Sequence, residues 1–129
     1  MSAFTVQLKS EPGELASLCE AMAAHNVNLV LCATTHSDSG TVGFVVDDEA
    51  AARTALEDAG IEATERPALT VRLENLPGEG AVTFRRLANA GITIDLLLPV
   101  RVSTAEFLAV ICVDDVAGAK AALGDQVVG

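Results

Sequence analysis

The feature that most constrains this chain is a repeat with a period of about 65 residues. Phe4-Thr5-Val6-Gln7-Leu8 alternates apolar and polar residues, and Leu69-Thr70-Val71-Arg72-Leu73 does the same. Alternation is the period of a half-buried strand. Pro12-Gly13 follows the first segment and Pro77-Gly78 the second, 65 positions later. Proline fixes φ and lacks an N–H, and glycine accepts nearly any backbone angle, so each pair ends its strand. Leu15, Leu18, Cys19 and Met22 then recur at helical spacing, as do Phe84, Leu87 and Ala88 in the second copy. Such spacing predicts an amphipathic helix in each half.

The halves continue in parallel. Asn26-Val27-Asn28 and Gly91 are helix stops, glycine and asparagine being the usual left-handed C′ residues. Leu29 to Ala33 and Ile94 to Val100 read as second strands, the latter holding Pro99, which marks an edge or a bulge. Val42 to Val46 and Phe107 to Val113 return. Asp47 or Asp48, and Asp114 or Asp115, cap second helices. Those helices carry Ala52, Ala55, Leu56 and Ala59 in one half and Val116, Ala119 and Leu123 in the other. Ile61 to Thr64 is a short fourth strand, Gln126-Val127-Val128 only a stub of its counterpart, and Glu65-Arg66-Pro67 the linker. The offset grows from 65 to 67 between Leu29 and Asp47, two extra residues in one hairpin. Each half therefore reads βαββαβ, the ferredoxin-like α+β arrangement of an antiparallel sheet with helices on one face. The expected domains are residues 1–66 and 67–129.

Domains that small are marginal alone, so the halves are expected to share an interface. The second strand is an edge in this arrangement, and exposed edges are normally short or charged. Here both are apolar except for Asp95. They are expected to be covered, most simply by pairing with each other into one continuous eight-stranded sheet. Burial of the helix-free sheet faces suggests a homodimer. Hydrophobic residues make up 50% of the chain and aromatics only 3%, so the core is expected to be aliphatic.

A net charge of −10 argues against nucleic acid or an anionic membrane as partner, both of which are met by basic patches. No signal peptide or membrane span is read from the sequence. Cys19, Cys32 and Cys112 lack disulfide or metal spacing, and the plain reading is three buried thiols in the cytoplasm. His25 and His36, with His36 expected at the surface, do not make a metal site. No phosphate loop, nucleophile elbow or catalytic dyad is visible, so the chain reads as non-catalytic and without a cofactor.

The Pro-Gly turn between strand one and helix one, with Val27-Asn28-Leu29 opening strand two, resembles the ACT domain. Two such halves, over about residues 4–66 and 69–125, resemble a stand-alone tandem ACT protein. That resemblance implies regulatory binding of a free amino acid and a metabolic enzyme as the regulated partner. It places the ligand between the turn and helix of one domain and the second strand of its neighbour. The implied turn residues are Pro12, Gly13, Glu14 and Leu15, with Leu76, Pro77, Gly78 and Glu79 in the second copy. The implied strand residues are Asn28, Leu29 and Val30, with Thr93, Ile94 and Asp95 opposite. Thr93 departs from the asparagine of the pattern and implies two unequal sites.

The residues carry a physical case of their own. A helix start presents unpaired N–H groups with partial positive charge, a seat for a carboxylate. Glycine lets a ligand approach the backbone, and the Asn28 amide both donates and accepts. Singly, each also has a plain structural use: Pro-Gly as a turn, Asn28 as a helix end. Glu11, Glu14, Glu74 and Glu79 crowd the turns, where carboxylates complement helix dipoles. The alternative function is a docking subunit of a metabolic enzyme that binds no ligand.

Overall fold

A computed structural model of the chain describes all 129 backbone positions and every side chain except that of His36, whose expected surface position lies outside the described residues. The first half runs β1 (Ser2–Lys9), α1 (Glu14–Ala24), β2 (Leu29–His36), β3 (Ser39–Val46), α2 (Glu49–Asp58) and β4 (Thr64–Pro67). The second runs β5 (Leu69–Glu74), α3 (Glu79–Asn89), β6 (Ile94–Val102), β7 (Glu106–Val113), α4 (Val116–Leu123) and a tight turn of helix over Gly124–Gln126. An eighth strand survives only as a bridge between Val127 and Val71. This is βαββαβ twice, two ferredoxin-like repeats. The chain divides into two compact units, Ser2–Arg66 and Pro67–Gly129, with Met1 belonging to the second.

The strands form a four-stranded sheet in the order β2-β3-β1-β4 and a three-stranded sheet in the order β5-β7-β6. β2 and β6 are each an edge of their own sheet. β6 is poorly suited to a regular ladder because its register against β7 slips twice, between Ile94 and Leu96 and between Pro99 and Arg101. A bulged strand bends and twists away from a flat partner. These slips also locate the two extra residues of the second repeat. Leu29 opposite Val46 corresponds to Ile94 opposite Val113, yet Thr35 opposite Gly40 corresponds to Val102 opposite Phe107. The insertion lies within the strand rather than in the hairpin loop, and one of its slips falls at Pro99.

Two element boundaries differ from expectation. Glu65, Arg66 and Pro67 are strand, not linker, and Ile61 to Ala63 are the connection. Ile61 packs against the first core, which holds the chain down before the strand can begin. Ala68, buried, is the single residue between β4 and β5. Pro67 is tolerated because β4 is an edge.

The capping aspartates divide their work. Asp48 accepts the Ala51 N–H and Asp115 the Gly118 N–H, capping α2 and α4. Their neighbours Asp47 and Asp114 instead accept the N–H groups of Asn28 and Thr93, both at 3.0 Å, pinning the entries to β2 and β6. Asn26, Gly60 and Gly91 all have positive φ and stop α1, α2 and α3 as left-handed caps.

Each repeat has its own core. In the first, Phe4 and Phe44 face each other across β1 and β3 and stack with ring centroids 5.4 Å apart, against Leu18, Met22, Ala55 and Leu56. In the second, Leu69, Val71, Ile111 and Val113 pack under Leu87, Ala119 and Leu123. The buried stripe of α3 passes through Thr83 rather than the exposed Ala88, contrary to expectation. Thr83 stands where the first repeat has the fully buried Leu18. A buried hydroxyl is costly unless hydrogen-bonded. Gln126 supplies the bond, its amide donating to Thr83 Oγ1 at 2.9 Å while its carbonyl accepts from Arg86. The three thiols are not alike: Cys112 is buried, Cys19 half-buried and Cys32 exposed on the edge strand β2. The expectation of three buried thiols fails because alternate residues of an edge strand point away from the core. Among the described residues, no helix is long and apolar enough to cross a membrane.

β4 is fastened to α2 by a two-pronged pair, Arg53 Nε and Nη2 donating to the two Glu65 oxygens at 2.8 and 2.5 Å. The hydrogen bonds from Arg53, followed by that from Ser2, hold the Glu65 carboxyl down at about 2. A carboxyl depressed in the folded state stabilises the fold fully above its unfolded value and loses that contribution as pH falls toward the folded one. Both side chains are partly exposed, so screening keeps the effect small. Glu65→Gln should melt slightly below the parent at neutral pH, with the gap closing between pH 4.5 and about 2. Thermal melts across that range check it; a gap independent of pH would contradict it.

Candidate functional site

The two turns that precede α1 and α3 are near copies. Gly13 and Gly78 are the N-cap residues, at φ 89° and 91°, and neither helix has a side-chain cap. The first helical N–H of α1 bonds weakly back to Glu11 at 3.4 Å, and the regular ladder begins with Ser17 donating to Gly13 O. Among the described hydrogen bonds, the N–H groups of Leu15 and Ala16 have no partner, nor do those of Gly80 and Ala81 in α3. α2 and α4, by contrast, are closed by aspartate. The open helix starts are therefore confined to the two Pro-Gly turns. Glu14 and Glu79 lie in their first turns, where a carboxylate complements the dipole.

Glycine is needed here for conformation. A Cβ at position 13 or 78 would meet nothing within 4 Å, so space is not the constraint. Positive φ is, since L-residues with a Cβ are disfavoured there. Each turn is also tied to the adjacent hairpin: Ser10 donates to Asp38 O at 2.9 Å, and Asn75 to Ala105 O at 3.0 Å.

Beside the first turn lies a cavity of about 330 Å³, a size suited to a small molecule. Pro12, Glu14 and Leu15 line it, together with Lys9, Ser10 and Glu11 from the turn, Leu8 and Val42 from the sheet, and Ala33, Thr34, Thr35 and Gly40 from the hairpin. Leu15 is 40% exposed at its rim, an apolar side chain left uncovered at a helix start. Gly13 shapes the turn without lining the cavity. A smaller cavity of about 230 Å³ occupies the corresponding place in the second repeat. Leu76 and Glu79 line it with Glu74, Asn75, Gly80, Leu73, Leu97, Phe84 and Phe107. A third, of about 340 Å³, lies between α3 and the C-terminal turn among Arg72, Arg86, Thr83 and Gln126.

Asn28, Leu29 and Val30 are elsewhere. β1 and β3 place Lys9 opposite Ser39, whereas Leu29 lies opposite Val46, at the other end of β3. Eight extended residues separate the two ends by roughly 20 Å. Thr93, Ile94 and Asp95 likewise open β6, at the end of β7 away from Phe107. Within one repeat, then, the turn residues and the strand-opening residues do not meet. Asn28 is exposed, with its N–H held by Asp47 and its carbonyl accepting from the Asp47 N–H.

Lys9, Thr34, Thr35 and Gly40 were not among the expected site residues. Alignment of the two turns holds one signal, since Lys9 in the first is Glu74 in the second. The threonines carry none, because the β2–β3 register that brings them to the turn is a tertiary fact. Among the described residues no three His, Cys, Asp or Glu side chains gather as metal ligands.

The sequence matches no protein-family model and no curated protein. Solved structures match over nearly the whole chain. A protein of Bacteroides thetaiotaomicron superposes with a TM-score of 0.85 at 23% identity, covering 98% of this chain and 88% of that one. The regulatory subunit of aspartate kinase from Thermus thermophilus, in its ligand-free form, gives 0.72 at 22% identity, covering 95% and 87%. The corresponding subunit from Thermus flavus gives 0.65 at 18% identity, covering 97% and 90%. At these identities the likeness establishes the fold alone, two ferredoxin-like βαββαβ repeats in tandem.

Because the left-handed turn demands glycine, Gly13→Val should cost about 1–3 kcal/mol of stability, the usual range for a strained backbone residue. Gly13→Asn should cost less, asparagine being the side chain best tolerated there. Urea unfolding of both variants checks the order; equal stability of Val and Gly would refute the conformational reading.

Proposed function

We propose that this tandem ACT-fold chain is a regulatory, non-catalytic sensor that binds a free L-amino acid. The observation that carries the reading is the open start of α1 beside a cavity of about 330 Å³. Two unpartnered N–H groups at a helix N-terminus suit a carboxylate. Glu11 and Glu14 on the same cavity suit an ammonium group. The likeness to regulatory subunits of aspartate kinase supports a regulatory role and a metabolic enzyme as the regulated partner.

In this reading Pro12, Glu14 and Leu15 form one wall, with Gly13 setting the turn, and the β2 opening of a neighbouring repeat, at Asn28, Leu29 and Val30, forms the other. Antiparallel pairing of two edge strands sets the opening of one against the end of the other, and each end lies beside its own turn. The same argument joins Leu76, Pro77, Gly78 and Glu79 to Thr93, Ile94 and Asp95. A second chain is the natural source of a neighbouring edge, so the working form is a homodimer. Binding then shifts an equilibrium of shape or association, which requires the ligand to prefer one state.

A ligand at about a hundred times its dissociation constant stabilises the native state by roughly 2.7 kcal/mol. Such a gain raises the melting temperature of a chain this size by several degrees. A thermal-shift screen should find at least one L-amino acid with that effect at millimolar concentration, and the effect should vanish when its α-carboxylate is amidated. If none of the twenty shifts the melt, the sensor reading fails and the ligand-free docking subunit takes its place.

A further inference from the structure

The two turn cavities differ in ways that the duplicated backbone does not require. The chain positions beneath them correspond through β-register: Leu8 faces Gly40 in the first repeat, and Leu73 faces Phe107 in the second. Where the first has Gly40, the second therefore has an aromatic ring. On the helix above, Cys19 of the first repeat corresponds to Phe84 of the second, and Phe84 lines the second cavity. Both rings line the second cavity, which is about 230 Å³ against about 330 Å³ for the first.

Charge differs as well. Lys9 lines the first cavity with Glu11 and Glu14, so a cation and two carboxylates face the same space. The second cavity is lined by Glu74 and Glu79 and by no lysine or arginine. An α-amino acid carries both charges at once and needs a counter-charge for each. The first cavity supplies both as side chains, whereas the second offers a carboxylate only the open start of α3, with Glu74 and Glu79 beside it. Desolvating such a pair of like charges is unfavourable. Besides Ser10, Thr34 and Thr35, the first cavity is lined by the aliphatic side chains of Leu8, Leu15, Ala33 and Val42, which suit an apolar side chain.

Resting on the sensor reading above, we infer that each chain binds one apolar L-amino acid, at the turn cavity of the first repeat. Lys9 is the counter-ion of its carboxylate. Phe84, Phe107 and Glu74 close the second turn cavity to the same ligand. Lys9 thus determines which repeat responds, and the second repeat is the fixed half of the pair.

Titration calorimetry of the full chain with L-leucine, with L-lysine and L-glutamate as controls, tests this. The expected result is one site per chain for L-leucine and at least tenfold weaker binding by the controls. Lys9→Glu should weaken L-leucine at least tenfold while leaving the melt of the unliganded chain in place, because Lys9 is exposed. Glu74→Lys with Phe84→Cys should open the second cavity and bring the stoichiometry toward two. Should that double variant misfold, Lys9→Gln, which removes the charge alone, provides a separate check through its loss of affinity. Two equal sites in the parent, or Lys9 variants that bind like the parent, would overturn the inference while leaving the sensor intact. Preference for a charged amino acid would overturn the ligand class alone. Absence of binding by every amino acid would overturn both this inference and the sensor.

Discussion

A single backbone angle governs the candidate site. At Gly13 and Gly78 the chain turns through positive φ, and this lets it leave a strand and enter a helix within a few residues. Proline before the glycine removes a donor and commits the strand to end. The consequence is a helix whose first N–H groups have no side chain folded over them. Any capping residue with a Cβ and an acceptor would close that opening, as Asp48 and Asp115 do for α2 and α4. Each repeat thus builds two kinds of helix start, one open and one sealed.

Duplication explains both the likeness and the difference of the halves. Positions that hold the backbone are kept in parallel: the capping aspartates, the aspartates that pin Asn28 and Thr93, and the left-handed turn glycines Gly13 and Gly78. Positions that only fill space have diverged. Leu18 has become Thr83, which is bearable because Gln126 from the C-terminal turn reaches its hydroxyl. Gly40 and Phe107 occupy matching places on facing strands, so one cavity is open and the other is filled. The bulges in β6 absorb two residues without moving the hairpin loop relative to the turn.

Much of this was legible in the chain itself, because period and punctuation are local properties. Alternation named β1 and β5, Pro-Gly named the turns, and Asn26 and Gly91 named helix ends. Asp47 and Asp48 could not be told apart from sequence, since each is an aspartate one residue from a helix; only the position of the β2 entry assigns one to Asn28 and the other to Ala51. Thr83 was missed because a threonine inside a helix reads as surface unless its partner, 43 residues away, is known.

By itself the sequence determined the duplication, the βαββαβ order and the Pro12-Gly13 and Pro77-Gly78 turns. All of these follow from side-chain period and from what proline and glycine do to a backbone. Only the tertiary structure decided which residues surround the turns. Strand register brings Thr34, Thr35 and Gly40 beside Pro12 and carries Asn28 to the far end of the sheet. The tertiary structure also fixed where the β6 register slips, only one of the two slips being announced locally, by Pro99. Register is a pairing between segments far apart in the chain, whereas period and turn chemistry are written within a few residues.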